Sequence, residues 1–260
     1  MSEKRRFALV IEYDGTGYCG WQIQKNGISV QQKVEDAVSK AVGTKTAVHS
    51  AGRTDAGVHA LGQTAHFDAK TNIPADKFFY VLNDILPDDI RIVRSYAAPE
   101  GFHARFSAKG KHYRYVIRNA REKGAIDRQY SMFVPVKLET ETMKQAARLI
   151  EGTHDFAAFC AAGSDLKGTT VRTVYSVEIT QHAPYIEIDV KGSGFLYNMV
   201  RIIAGTLIAV GKGKLMPEQI SRALAQGDRT LVGATAQAQG LFLVEVYYDS
   251  APLAKTDRCS

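Results

Sequence analysis

The sequence predicts an α+β fold built from two halves that share one element order, β-α-β-β-α-β, the ferredoxin-like unit. Three observations carry this. Strand-length hydrophobic runs alternate with segments of helical period. The order they produce occurs twice within 260 residues. A ten-residue stretch dense in reactive groups, Ala51-Gly52-Arg53-Thr54-Asp55-Ala56-Gly57-Val58-His59-Ala60, falls between two strands of the first half. Two such units set edge to edge give one extended mixed or antiparallel sheet, with a central cleft and helices on one side. Residues 1–100 and 101–250 are assigned to the two halves, and 251–260 to a polar tail.

Residues 7–13 are rich in β-formers and end at Asp14-Gly15, a strand closed by a turn. Ser29, with Gln32 three residues on, opens a helix over 30–42 that carries Val34, Ala37, Val38 and Ala41 on one face. Strands are expected at 46–49 and 63–67, a short helix at 75–82 and a strand at 90–96. In the second half, 111–118 is a strand with alternating aromatics. Residues 141–150 form a helix capped by Thr140 and stopped at Gly152. Strands at 171–180 and 185–190 make an antiparallel pair about His182-Ala183-Pro184. An apolar helix covers 198–210. Pro217 opens another that ends near Gly227, and 241–247 is the closing strand. His154-Asp155-Phe156 reads as a turn. The halves join near 99–105.

Lys plus Arg number 33 and Asp plus Glu 27, a net charge of +6. That suits a polyanionic partner such as nucleic acid, and equally a mildly basic protein without one. Cys19, Cys160 and Cys259 lie far apart with no C-x-x-C, which excludes a disulfide scaffold or zinc ribbon and fits a reducing compartment. No signal-peptide core follows Met1 to Arg6. The longest apolar segment, 195–210, is broken by Asn198 and Arg201 and is too short to span a bilayer. A cytoplasmic soluble protein is expected, with no membrane association.

Within Ala51–Ala60, Arg53 and Asp55 are two apart, so an extended backbone points them to one face, where the cation would favour the ionised carboxylate. The alternative is a turn bearing a surface ion pair. Gly15-Thr16-Gly17-Tyr18-Cys19-Gly20 fits the dinucleotide pattern G-x-G-x-x-G after a strand, but the next helix opens only after Ser29, and Glu35 and Asp36 fall inside it. A nucleotide cofactor is therefore rejected. The run from Gly101 to Tyr115 interleaves cations with aromatics, the composition of an RNA-facing surface. Phe106 and Tyr115 are read there as core residues; for Tyr113 a base-stacking and a core reading stand level. Arg201 stands alone in an apolar helix. It needs Asp55 or a substrate phosphate as partner, or else it snorkels to solvent. None of the seven histidines forms H-x-x-x-H or H-E-x-x-H, so no metal site is expected, and no G-x-S-x-G elbow occurs. The chemistry is left to a single carboxylate without a cofactor.

The string Gly52-Arg53-Thr54-Asp55-Ala56-Gly57-Val58-His59-Ala60 resembles the tRNA pseudouridine synthase A family. So do Tyr13-Asp14-Gly15-Thr16 with Tyr18 and Gly20-Trp21-Gln22, the run Phe102 to Ala108, the run Phe195 to Arg201, and Gly240-Leu241. Together these cover about residues 7 to 248. The resemblance implies an isomerase that converts uridine to pseudouridine at positions 38, 39 and 40 of the tRNA anticodon arm. It implies a homodimer with the tRNA on both subunits, no cofactor and no metal. By the same resemblance Asp55 matches the catalytic aspartate and Arg201 the arginine paired with it. Tyr113 matches the tyrosine stacked on the target base, Leu241 an apolar residue of the uracil pocket, and Arg53 the arginine that fills the place of the flipped nucleotide. His59 and Arg105, inside two of the motifs, are placed with the substrate-binding residues. One departure is Gln237 where the family often has Pro, in a loop taken to lie apart from the chemistry. The alternative function is an RNA-binding protein of this fold without catalysis.

Overall fold

The structure, a computed structural model, describes residues 3–25, 27–161, 163 and 168–249. The tail assigned to 251–260 lies outside the described residues. The first half comprises β1 (Arg5–Tyr13), α1 (Val30–Val42), β2 (His49–Ser50), β3 (His59–Ala69), α2 (Phe78–Asn83) and β4 (Ile90–Ala97). The second comprises β5 (Gly110–Asn119), β6 (Met132–Val134), α3 (Thr140–Arg148), β7 (Gly152–Asp155), β8 (Val171–His182), β9 (Tyr185–Gly192), α4 (Met199–Gly211), α5 (Glu218–Gln226) and β10 (Leu241–Tyr247). The strands form one mixed sheet in the order β4-β1-β3-β10-β5-β9-β8-β7, with β2 on β3 and β6 on β5.

Each half carries the ferredoxin-like order. The first reads β4-β1-β3-β2, and the second reads β10-β5-β9-β8. They fuse through a short parallel contact, Phe242 beside His59 and Leu243 beside Ala60. Every other contact along the main path of the sheet is antiparallel.

Helix α1 starts where its cap predicts: Ser29 Oγ accepts from the Gln32 N–H at 3.2 Å, and Gly43 closes the helix at φ 74°. Helix α3 differs. It begins at Thr140 after Glu139, with no side-chain cap. Residues 46–48 do not form the expected strand, because side chains of α1 take their backbone donors. Ser39 Oγ accepts from Thr46 N–H and Glu35 Oε1 from Val48 N–H. Strand β3 instead starts inside the reactive stretch, at His59. Residues 152–155, read as part of a turn, pair with Val171–Val174 as an edge strand.

Residues opposite one another in a sheet share a face, and the face alternates along each strand. The registers Tyr13↔Ala60, Ala60↔Leu243, Leu243↔Tyr113 and Tyr113↔Val190 therefore set one row across five strands. Its members are all buried. Phe242, His59 and Arg114 belong to the opposite face.

The glycines of the rejected nucleotide pattern have a packing role. A Cβ on Gly15 would sit 2.0 Å from Val58 O, and one on Gly20, at φ 98°, would sit 2.5 Å from Thr54 O. Both let the segment after β1 press against the backbone of residues 54–58. Trp21 N–H then donates to Thr54 O at 3.0 Å, and the Tyr13 and Thr54 hydroxyls share a 2.7 Å hydrogen bond. The sequence pattern is a brace for the Asp55 loop.

Gly15→Ala should therefore cost about 1–3 kcal/mol of stability through overpacking. Gly17→Ala, which meets nothing within 4 Å, should leave the denaturant midpoint unchanged or slightly raised.

His66 gives a pH signature. Burial, with His103, Arg6 and His49 nearby, pushes its pKa down to about 4. An unfolded histidine titrates near 6.5, so between these values the unfolded chain binds the extra proton. Stability should fall as pH drops from about 6.5 toward 4, and His66→Gln should flatten that part of a melting-temperature profile.

Candidate active site

The Asp55 loop (52–58) connects β2 to β3 and lies over the row that contains Tyr13, Ala60, Leu243 and Tyr113. It is held from below as well as from the side: Gln63 Nε2 donates to Gly52 O at 2.8 Å, and Val58 N–H closes a turn on Asp55 O at 3.1 Å.

From the second half, α4 brings Arg201. This helix is buried on most sides, with Met199, Val200, Ile202, Ile203 and Ala204 all in the core, so its arginine needs partners. It has three. Nη1 donates to Asp55 Oδ2 at 2.9 Å and to Asn198 Oδ1 at 2.8 Å, and Nε donates to Ala236 O at 2.8 Å. The guanidinium is thus fixed in plane before it meets the carboxylate. The side chains of Arg201 and Asp55 remain 18% and 28% exposed, so the pair is reached from solvent. Asp55 Oδ1 has no hydrogen-bond partner among the described residues, while Oδ2 is tethered.

Asn198 is a site residue that sequence reading left without a role. It precedes α4 at φ 59°, the one non-glycine residue with positive φ among the described residues. Asparagine tolerates that conformation better than most residues. Its side chain does not cap the helix but accepts from Arg201. The loop around Gln237, expected to lie apart from the chemistry, contacts Arg201 and Tyr115. Ala236 binds Arg201 through both its N–H and its C=O, and Gln237 O accepts from the Tyr115 hydroxyl at 2.7 Å. The adjacent Gln237 itself supplies only backbone.

Tyr113 stands on β5, 7% exposed, with its ring edge-on to Phe195 at 5.3 Å. Burial pushes its phenol pKa upward, with Tyr13 and Asp55 adding to the shift. That places Tyr113 near Asp55 as a neutral aromatic face. Leu241 opens β10 opposite Tyr115, is 6% exposed and shares the Tyr113 face. Asp55, Arg201, Tyr113 and Leu241 are therefore brought to one side of the sheet junction.

The remaining sequence candidates separate. Arg53 is exposed and makes no ion pair among the described residues; Asp55 pairs with Arg201 instead, and the turn in the loop follows it, at 55–58. Arg105 is exposed on the turn before β5. His59 goes to the opposite face, where it is 1% exposed and stacks on Phe242 at 4.8 Å. Its Nδ1 accepts from Gly15 N–H at 3.0 Å and its Nε2 lies 2.9 Å from Gln129 O. Burial lowers its pKa, and the bonding is that of a neutral ring donating through Nε2. The 3.1 Å approach of Asp14 to Nδ1 is then not an ion pair. His59 lines a cavity of about 250 Å³ with Glu12, Asp14, Asp88, Asp89 and one cation, Arg91, which pairs with Asp88, a net acidic setting unsuited to a polyanion. Phe106, expected in the core, is 77% exposed: it precedes β5 and escapes the strand alternation. Tyr115 is fully buried, as expected.

A brace of this kind, one carboxylate oxygen fixed by arginine and one left free beside an aromatic face, suits a reaction on a planar base. A family model described as tRNA pseudouridine synthase matches residues 9–107 and 146–249. The chain belongs to that family and has its pseudouridine synthase fold. Among its curated relatives is a protein named tRNA pseudouridine synthase A from Ruminiclostridium cellulolyticum, 52% identical over 94% of this chain and 100% of its own length. Proteins of the same name from Acetivibrio thermocellus and Geobacter sp. (strain M21) are 48% and 46% identical, each over 94% of this chain, and over 100% and 99% of their own lengths. A solved Cbf5-Nop10-Gar1 complex matches 93% of this chain and 50% of its own chain at TM-score 0.38 and 12% identity. No described helix is long and apolar enough to cross a membrane.

Arg201→Lys tests the fixed plane. An ammonium keeps the charge but not the three directed bonds. With charge-assisted bonds worth about 1.5–3 kcal/mol, turnover should fall at least about tenfold, and the dissociation constant for tRNA should change little. Single-turnover rates at saturating enzyme, set beside equilibrium binding, separate the two.

Proposed function

We propose that this chain isomerises uridine to pseudouridine in the anticodon arm of tRNA, at positions 38, 39 and 40, with Asp55 as the acting carboxylate. The observation that carries the assignment is the asymmetric carboxylate: Oδ2 held by Arg201 at 2.9 Å and Oδ1 free.

The reaction breaks the N1–C1′ bond of the nucleotide, turns the uracil and joins C5 to C1′. The hydrogen on C5 leaves as a proton, and N1 gains one, so the change is an isomerisation that needs no oxidant or second substrate. The target base must first leave its stack, at a cost of a few kcal/mol. Arg53, exposed at the rim of the Asp55 loop, is suited to occupy the vacancy. Tyr113 offers a flat face on which the freed uracil turns without escaping, and Leu241 and Leu243 supply an apolar wall on the same side. Asp55 Oδ1 serves as nucleophile toward C1′ or the base, or takes a proton from the ribose; each needs the same free oxygen beside the same stacked ring. Residues 1–100 supply the carboxylate, and residues 101–250 supply Arg201, Tyr113 and Leu241. The family resemblance supports a cytoplasmic homodimer whose subunits share the tRNA.

The test is tritium release from unmodified tRNA labelled at uridine C5. Wild type should release it and Asp55→Ala should not. Release by both would move the chemistry to another residue. Release by neither, with tRNA still bound, would replace the enzyme with a non-catalytic RNA-binding protein of this fold.

A further inference from the structure

A strip of cations and one displayed aromatic ring runs from the Asp55 loop to the turn before β5, and no role has been given to two of its members, Lys111 and Phe106. We propose that Lys111 and Arg105 hold a backbone phosphate of the RNA strand beside the reacting nucleotide, and that Phe106 stacks on an unpaired base of the same strand. The proposal rests on the reading above that the substrate is RNA, and it adds a subsite to it.

Lys111 lies two residues before Tyr113 on β5, so both side chains leave the sheet on the face of the site, about 7 Å apart along the strand. Its ammonium has a seat made by a missing side chain: a Cβ on Gly52 would fall 2.5 Å from Lys111 Nζ. Gly52 immediately precedes Arg53. The cation is thus tucked against the backbone that carries Asp55, yet no carboxylate lies within ion-pair distance among the described residues. Desolvating an ammonium without a counter-charge is costly. Burial, with Arg105 adding repulsion, lowers its pKa to about 8. Two like charges share this spot with no anion between them. Several arginines elsewhere are matched to carboxylates: Arg6 with Asp68, Arg91 with Asp88, Arg114 with Asp189 and Glu187, and Arg118 with Asp127. A missing anion next to a nucleotide site is the vacancy a phosphodiester fills.

Arg105 leads on to Phe106, with its Cζ 5.7 Å from the ring centroid. Phe106 is 77% exposed, but the turn that bears it is hydrogen-bonded. His103 Nδ1 accepts from the Arg105 and Phe106 backbone N–H groups at 3.1 and 3.4 Å, and the His103 ring backs the Phe106 ring at 4.4 Å. Ser107 N–H donates to His103 O, and Ser107 Oγ accepts from His103 N–H. A hydrogen-bonded turn that presents a phenyl ring to water, with a guanidinium over it, gains nothing for the fold. It is the arrangement on which unstacked bases rest. The carboxylate-rich cavity on the other face of the sheet has the opposite charge, and its exposed ring, Tyr130, is tied through its hydroxyl to Asp14.

The experiment uses fluorescein-labelled unmodified tRNA and full-length protein, with binding measured across a salt series and tritium release recorded in parallel. Lys111→Met should reduce the slope of log Kd against log salt by about 0.7–0.9, one phosphate contact, and Lys111→Arg should restore it. Phe106→Ala should raise Kd about 5- to 150-fold, and Phe106→Trp should keep it near wild type. Melting temperatures should not fall, since Lys111→Met removes a desolvated charge and Phe106 is outside the core. Unchanged Kd and unchanged salt slope in Lys111→Met and Phe106→Ala, with wild type releasing tritium, would overturn the subsite and leave the enzyme assignment standing. The predicted binding changes with no tritium release from wild type would support the subsite and overturn the assignment.

Discussion

The contact between Arg201 and Asp55 joins residues 146 positions apart, and much of the molecule is arranged so that it can form. The carboxylate arrives on a loop pinned by Tyr13, Trp21 and Gln63. The guanidinium arrives on a buried helix, with Asn198 and Ala236 fixing its plane. A half-buried ion pair is a weak source of stability, because desolvation offsets most of the attraction. Its value here is geometric. One oxygen is tied, one is presented, and the arginine cannot swing away because two of its three bonds are to groups other than the carboxylate.

The fold was legible where hydrophobic period and cap chemistry act locally. Helix α1, with its Ser29 cap, and strand β10 fall where the pattern puts them, and the β8–β9 hairpin differs only at its ends. The misses have physical causes. Val48 and Thr46 carry strand-like sequence but give their N–H groups to Glu35 and Ser39 on α1, a tertiary competition invisible in a linear pattern. Strand β7 is polar and exposed at most of its positions, so no alternation announces it; only Val171–Val174 alongside makes it a strand. Thr140 is a good capping residue, but the helix has already begun there.

The site was legible residue by residue and much less so as an assembly. Arg201 betrayed itself by standing in an apolar helix, and Asp55 by the density of its surroundings. Whether Arg201 meets Asp55, a phosphate or solvent is decided by the way β10 slots between β3 and β5, and no spacing along the chain encodes that. His59 shows the converse. It shares a motif with Asp55, but strand alternation sends it through the sheet to an acidic face. Lys111 looked like one more cation in a basic run; the space left by Gly52 sets it apart.

The strand that fuses the two halves is the last element described. Until Leu241–Tyr247 has been synthesised and inserted, β5 presents an open edge over Gly110–Tyr115 and β3 one at His59 and Ala60. Such edges template pairing with other chains, and closing them is a contact between distant parts of the chain that forms late. A ribosome-bound or truncated chain that stops short of Leu241 therefore exposes two unpaired edges at its centre, not at its periphery. Protection of those edges during synthesis is a demand this topology places on the cell that makes it.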